Sequence, residues 1–413
     1  MARPRFVKNL GVLAFAQAVF FMANTIVIST APFVGLQYAP APWLATVPLG
    51  VQFLGTMSAT MPASLLMQRV GRRPGLVLGM VLGVLAGLLG AFAIREASFS
   101  LFCLAGVFYG SFSAFAQYLR FTAADAADAA GFPDRTAARG RAIAWVMAGG
   151  VVAAVLGPEL ADRTRELTAP VLFVGSYLAI AALAGSGLLA LLLLDLPRPP
   201  ASDGAEGKDA RPLRVVARQP VAIAAFAAAL VGYVTMNLLM TATPLAMLAC
   251  GFGFGDTKRV IQWHVLGMFL PSFLTGRLIT RFGVERVILG GVVLNLLCVA
   301  IAVAGLEVAN FAIALFLLGV GWNFMFVGGT TLLTTCHGPA EKARVQGLND
   351  LLVFTSVAAS ASLAGFVQST LGWQTMNLLA IPGLVLVAAL ILPRLRPGLA
   401  ATTSGSPSAG SGR

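Results

Sequence analysis

The feature that most constrains this chain is a series of apolar stretches, each about as long as a bilayer-crossing helix. A spanning helix needs about 20 apolar residues, and 58% of the 413 residues are hydrophobic while only 11% are charged. This composition excludes an ordinary soluble protein, in which about a quarter of residues are charged. A transmembrane β-barrel is excluded as well, because its strands alternate apolar and polar residues.

We therefore predict an all-α membrane protein with twelve transmembrane helices. The predicted spans are residues 8–34, 43–68, 75–94, 98–122, 139–160, 170–194, 219–247, 258–280, 285–306, 309–334, 345–370 and 373–393. The first stretch is too long for a signal peptide and is predicted to be an uncleaved span.

The basic residues predict the orientation. With both termini on one side of the membrane, 23 of the 28 Lys and Arg residues lie on that side and five on the other. Cytoplasmic loops carry an excess of Lys and Arg, so both termini are predicted to be cytoplasmic. The net charge of +12 is then explained by the basic residues on the cytoplasmic side, and no nucleic-acid partner is expected. The Ala, Gly and Leu bias suggests a bacterium, and hence the inner membrane.

A polar, Pro-rich break divides the chain into two halves. Residues 1–194 and 219–393 are predicted to be six-helix halves, joined by a cytoplasmic linker at 195–218. Residues 394–413 are predicted to be a disordered cytoplasmic tail.

The two halves repeat at an offset of 212 residues. This offset aligns Gly71 with Gly283 and Pro32 with Pro244. Parallel halves with a substrate site between them near the midplane are a known transporter architecture.

The loop between spans 2 and 3 resembles the signature of the major facilitator superfamily, roughly G-x-L-A-D-R-x-G-R-R. The matched positions are Arg69, Gly71, Arg72 and Arg73. Gln68 replaces the Asp of the pattern. Gly157-Pro158 in span 5 also resembles the helix-packing motif of that family. The resemblance implies two six-helix halves and transport by alternating access, so no enzymatic activity and no cofactor are expected.

Charged residues inside the spans are few, and burial in hydrocarbon makes them informative. Arg120, Asp125 and Asp128 lie near the cytoplasmic end of span 4, and Asp350 lies within span 11. We predict that they form interface salt bridges that hold an inner gate together with the loop between spans 2 and 3. Proton coupling is the alternative role.

Two pairs of soft ligands occur on consecutive spans. Met236 and Met240 lie in span 7, and His264 and Met268 lie in span 8. Each pair is spaced i, i+4 and shares one helix face, and the predicted span ends place both pairs at the same depth. Thioether and imidazole groups favour copper, so these four residues are a candidate copper site. The alternative is ordinary packing, since Met is a flexible core filler.

At these residues the chain resembles the CcoA-like (CalT) copper importers of the major facilitator superfamily. The resemblance implies copper import across the bacterial inner membrane, delivery to a cytoplasmic copper acceptor, and supply of cbb3-type cytochrome oxidase assembly. Copper would be the cargo and not a cofactor. Additional copper contacts are expected among Gln52, Met57, Met61, Cys250 and Cys336.

Two other functions stay open. Relatives with similar motifs are associated with riboflavin uptake, and aromatic residues in the spans could stack on a flavin-like solute. These aromatic residues are Phe115, Tyr118, Tyr233 and Trp322. Drug export is the second alternative.

Overall fold

The structure is a computed structural model that describes residues 2–196, 211–338 and 341–395. Within these ranges the chain forms sixteen α-helices and no strand. The N-terminal half contains α1 Ala2–Tyr38, α2 Val47–Val70, α3 Arg72–Arg95, α4 Phe99–Ala116, α5 Leu119–Ala129, α6 Arg135–Met147, α7 Gly149–Thr164 and α8 Val174–Leu191. The C-terminal part contains α9 Leu213–Ala217, α10 Pro220–Ala249, α11 Phe254–Phe269, α12 Ser272–Phe282, α13 Val284–Ala304, α14 Val308–Leu333, α15 Lys342–Leu378 and α16 Ile381–Ile391.

The prediction of twelve membrane crossings is confirmed. Nine helical segments of the described chain are long and apolar enough to cross a membrane. One of them, Arg344–Leu395, contains two crossings because the backbone is non-helical at Gly372. Helix α2 and the consecutive pair α11–α12 supply the remaining two crossings.

Three predicted spans are each broken into two helices. Span 4 breaks at Gln117–Tyr118 and continues to Ala129, and span 5 breaks at Ala148. Span 8 breaks at Leu270–Pro271, where proline lacks the N–H that a continuous helix needs. The predicted linker contains the short helix α9, while residues 197–210 lie outside the described residues. The predicted disordered tail beyond residue 395 lies outside them too.

The predicted internal repeat is confirmed by the backbone. Gly71 joins α2 to α3 with φ 96°, and Gly283 joins α12 to α13 with φ 88°. Both values lie in the region that favours glycine, so the same tight connection occurs twice, 212 residues apart. Pro32 lies inside α1 and Pro244 lies inside α10, as the repeat requires.

Within each half, helices cross where a glycine allows two backbones to touch. Gly110 on α4 lies against α2, and a Cβ there would come within 2.7 Å of the Thr56 amide nitrogen. Gly319 on α14 lies against α11 in the same way, 2.9 Å from the Met268 nitrogen. Thr56 and Met268 are thus structural equivalents. Gly157 of the predicted packing motif also contacts α1, at Thr25, which confirms that expectation.

Ion pairs define one membrane face, called here the linker face. Arg5 at the start of α1 pairs with Asp195 beyond α8. Arg211, the first described linker residue after 197–210, donates from Nε to Glu341 Oε1 at 2.7 Å. That hydrogen bond and the backbone N–H of Gly338 lower the pKa of Glu341 to about 2. The end of the linker is therefore fixed to the start of α15. The other face is called the opposite face.

The glycine crossing predicts a stability difference between two alanine variants. Gly110→Ala places a methyl group on the backbone of α2, so we expect overpacking to lower the unfolding free energy by about 1–3 kcal/mol. Gly11→Ala is the matched control, because nothing lies within 4 Å of a Cβ at that helical position. Thermal unfolding in detergent should show a lower Tm for Gly110→Ala alone. Equal Tm values for both variants would contradict the crossing.

Candidate functional site

A central cavity lies between the two halves near the middle of the bundle. It is lined by helices α1, α2, α4, α5 and α6 and, from the other half, by α10, α11, α14 and α15. The volume that compares with those of other protein cavities is about 250 Å³, and about 1420 Å³ when the space open to solvent is included. The smaller value lies just below the roughly 300–1,000 Å³ of small-molecule pockets.

One wall of the cavity is aromatic. Trp322 and Phe326 are stacked with centroids 5.4 Å apart and planes 8° apart. Tyr233 packs edge-on against both, at 5.4 Å from Trp322 and 5.2 Å from Phe326. Phe354 completes the wall at 6.5 Å from Tyr233. Such faces can stack on the ring of a planar ligand.

Beside this wall are buried polar atoms that have no hydrogen-bond partner among the described residues. They are Nε of Arg120, Oδ1 of Asn237 and Nε1 of Trp322. The Asn237 amide is held in place, because its Nδ2 donates to Val357 O at 3.2 Å and to Ser360 Oγ at 3.0 Å. Buried polar groups in native proteins usually have partners. Two donors and one acceptor are therefore left unpaired in the wall of this cavity.

The structure brings three of the four predicted copper ligands to the cavity. Met236, Met240 and Met268 all line it. His264 is fully buried, is not one of the lining residues, and its Nδ1 donates to the Leu315 carbonyl at 2.7 Å. Its Nε2 has no partner in the described part of the chain. The imidazole is thus directed towards α14.

The predicted accessory residues are dispersed. Gln52 lines the cavity, and Met57 sulfur lies 3.1 Å from Thr355 Oγ1 of the other half. Met61 is 73% exposed. Cys250 lies just after α10, and Cys336 is buried at the linker face, where its carbonyl accepts from Arg211. In the described ranges, no three His, Cys, Asp or Glu side chains group closely enough to hold a metal.

The predicted aromatic residues divide into two sets. Tyr233 and Trp322 line the cavity. Phe115 is buried in the core of the N-terminal half, and the Tyr118 hydroxyl donates to Thr60 O at 3.2 Å. Sequence reasoning missed Asn237, although a carboxamide inside a span next to Met236 was a usable signal.

The predicted gate residues occupy different places. Arg72 pairs with Asp125 at 2.8 Å, and Arg73 donates to Leu192 O at 2.6 Å, so both hold the linker face of the N-terminal half. Arg69 is exposed, and Gly71 forms the turn described above. Arg120 instead lines the cavity, as does Asp350.

The cavity is closed at the opposite face by a seal between the halves. Lys258 on α11 donates to Glu159 at 2.8 Å and to Asp162 at 2.7 Å, both on α7. A second contact between the halves is made elsewhere around the bundle, where the Gly365 amide donates to Thr46 Oγ1 at 2.8 Å. At the linker face, α5, α6 and α12 pack against helices of their own half. We infer from these contacts that the cavity opens towards the linker face.

Two repeated six-helix halves around a central cavity, closed on one side, define a membrane transporter. The family model described as Major Facilitator Superfamily matches residues 13–261 and 254–411. The chain therefore belongs to the major facilitator superfamily, as its sequence resemblance predicted.

Individual relatives refine this assignment. The chain is 40% identical over 390 residues to the riboflavin transporter RfnT of Brucella anthropi, covering 94% of this chain and 96% of the relative. It is 37% identical over 158 residues to the uncharacterized MFS-type transporter YddS of Bacillus subtilis, covering 38% of this chain and 36% of that protein. The crystal structure of the human organic anion transporter MFSD10 superposes with TM-score 0.66 at 15% identity, covering 94% and 99% of the two chains, which shows the shared fold.

The Lys258 seal leads to a testable expectation. Lys258→Ala removes the cation that holds two carboxylates of the other half, so the cavity should open more often at the opposite face. A single cysteine at Asn24, in a background without the native cysteines, should then react several-fold faster with a membrane-impermeant maleimide applied at that face of oriented vesicles. Arg163→Ala is the control, because Arg163 pairs with Glu159 inside α7. Equal rates in both variants would refute the seal.

Proposed function

We propose that this protein imports riboflavin or a closely related flavin across the bacterial inner membrane by alternating access. The observation that carries the proposal is the aromatic wall of Tyr233, Trp322, Phe326 and Phe354 beside unpartnered polar atoms in one cavity. The riboflavin transporter that is 40% identical over nearly the whole chain supports the same cargo.

The chemistry of a flavin suits this cavity. Its fused ring system is planar and can stack on Trp322 or Tyr233. One edge of the ring carries both carbonyl acceptors and an N–H donor, which match Trp322 Nε1, Arg120 Nε and Asn237 Oδ1. The ribityl chain is a polyol, and the amides of Gln17, Asn24 and Gln117 line the remaining cavity. An apolar wall with a few placed polar groups is typical of small-molecule sites.

The closed opposite face places the protein at one stage of a transport cycle. With the linker face in the cytoplasm, as the basic residues predict, the cavity faces inward and is poised to release cargo. Loading requires the halves to rock, so that Lys258 leaves Glu159 and Asp162 while the linker-face ends approach each other. The glycine crossings keep each half rigid during this movement.

Copper is a second candidate cargo, favoured by one observation. Met236, Met240 and Met268 present three thioethers to the cavity, and thioethers prefer Cu(I). The imidazole of His264, however, is hydrogen-bonded to Leu315 and lies behind the cavity wall. The riboflavin transporter among the relatives favours the organic solute over copper. Drug export has no specific observation in its favour.

Riboflavin uptake tests the proposed cargo. We expect the wild-type chain to support growth of a riboflavin auxotroph at low riboflavin and to accumulate labelled riboflavin. Trp322→Ala should lower uptake at sub-saturating riboflavin by about tenfold or more, since a ring stacked on an aromatic residue contributes about 1–3 kcal/mol. Trp263→Ala is the matched control, because Trp263 is 55% exposed on the outside of α11. Wild-type cells without uptake would overturn the proposal.

Copper uptake, measured in the same cells, tests copper as the alternative cargo. If copper is the cargo, labelled copper should accumulate in wild-type cells and fall in Met236→Ala and Met240→Ala, which lose thioethers at the cavity. We expect no copper accumulation above cells lacking the protein. Copper uptake that these variants abolish, without riboflavin uptake, would instead establish the second candidate.

A further inference from the structure

Two opposite charges face each other across the central cavity. Arg120 comes from α5 of the N-terminal half, and Asp350 comes from α15 of the C-terminal half. Among the described residues that line the cavity, they are the sole ionisable Arg, Lys, Asp or Glu side chains. The other lining residues are aromatic, aliphatic, thioether, hydroxyl or amide side chains. The lining as a whole is therefore electrically neutral.

No direct ion pair joins these two charged groups among the described residues. Each side chain instead has a partner of its own. The Arg120 guanidinium lies over the ring of Phe121, 4.9 Å from its centroid, and its Nε has no hydrogen-bond partner in the described chain. Asp350 accepts a hydrogen bond from Asn349 Nδ2 at 3.3 Å. Both charges thus line one cavity without a direct ion pair between them, and Arg120 Nε stays unpaired.

We propose that Arg120 and Asp350 act together as a charge filter, which admits an uncharged flavin and rejects its 5′-phosphate ester. This inference rests on the proposed function and names the form of the substrate. Arg120 donates to a neutral carbonyl of the flavin ring, and Asp350 cancels the field that would otherwise attract anions. Asp350 is thus a specificity-determining residue.

The physical reason is the cost of moving a phosphate into this cavity. A phosphate monoester carries about −1.5 to −2 charges at pH 7. It must lose its water and needs compensating cations, because an unpaired buried charge is strongly unfavourable. The cavity offers one guanidinium, and the Asp350 carboxylate already offsets that charge. Removing the carboxylate, or adding a second cation, leaves a net positive cavity that accepts the anion.

Binding to the purified protein tests the filter without requiring transport. The probes are riboflavin and riboflavin 5′-phosphate, whose fluorescence is quenched when the ring stacks on aromatic side chains. For the wild type we expect riboflavin to bind at least about tenfold more tightly than its phosphate, a difference of about 1.4 kcal/mol. Asp350→Asn should reduce that preference at least tenfold. Met147→Lys, which adds a cation at a lining position not assigned to the ligand, should do the same.

Asp256→Asn is the matched control. It removes one carboxylate from α11 outside the cavity, where Asp256 pairs with Arg259, and should leave the preference unchanged. Arg120→Gln makes the lining negative and should not improve binding of the phosphate.

The possible results separate this inference from the proposed function. A wild-type protein that does not bind riboflavin overturns the proposed function, and the filter with it. Wild-type binding of both probes with equal affinity overturns the filter alone, as does an unchanged preference in Asp350→Asn and Met147→Lys. Loss of riboflavin binding in both of these variants also overturns it, because a neutral ligand should tolerate the added positive charge.

Discussion

Direct contact between helix backbones at glycine is the constraint on which the rest of this structure depends. Lipid tails are as apolar as leucine, so helices in a bilayer associate through close packing and hydrogen bonds, without a hydrophobic driving force between them. Gly110 brings α4 onto α2, and Gly319 brings α14 onto α11, at equivalent positions of the two halves. Each half is thereby a tightly packed unit whose inner surface has a fixed shape.

The contacts between the halves combine polar and apolar groups. Lys258 binds α7 and Thr46 binds α15, and Ala154 packs against Ile261 and Val265. Between these contacts and the linker face the two inner surfaces stand apart, and the cavity occupies that space. The aromatic wall belongs to the C-terminal half, while Arg120 and several amides belong to the N-terminal half. Cargo therefore bridges the two units that have to move.

The spans and the repeat could be predicted because they depend on local composition and on a register that both halves share. The breaks at Gln117 and Ala148 were missed, although polar Gln117 and Arg120 and the pair Gly149-Gly150 interrupt the apolar runs there. The copper hypothesis shows a second limit. Helical spacing predicts which residues share a helix face, but rotation of that face about the helix axis depends on packing, which turns the His264 imidazole to Leu315. For the same reason, the sequence could not show that Trp322 lines the cavity whereas Phe115 is buried in the core.

The seal at the opposite face has a consequence for the surroundings of the protein. The ammonium group of Lys258 is shared by the carboxylates of Glu159 and Asp162. Separating the halves therefore leaves an unpaired basic group on one half and unpaired acidic groups on the other. Ions screen such charges over about 8 Å at physiological ionic strength once water reaches them. The salt content of the medium on that side therefore sets how readily the halves part, whereas salt on the linker side does not act on this contact.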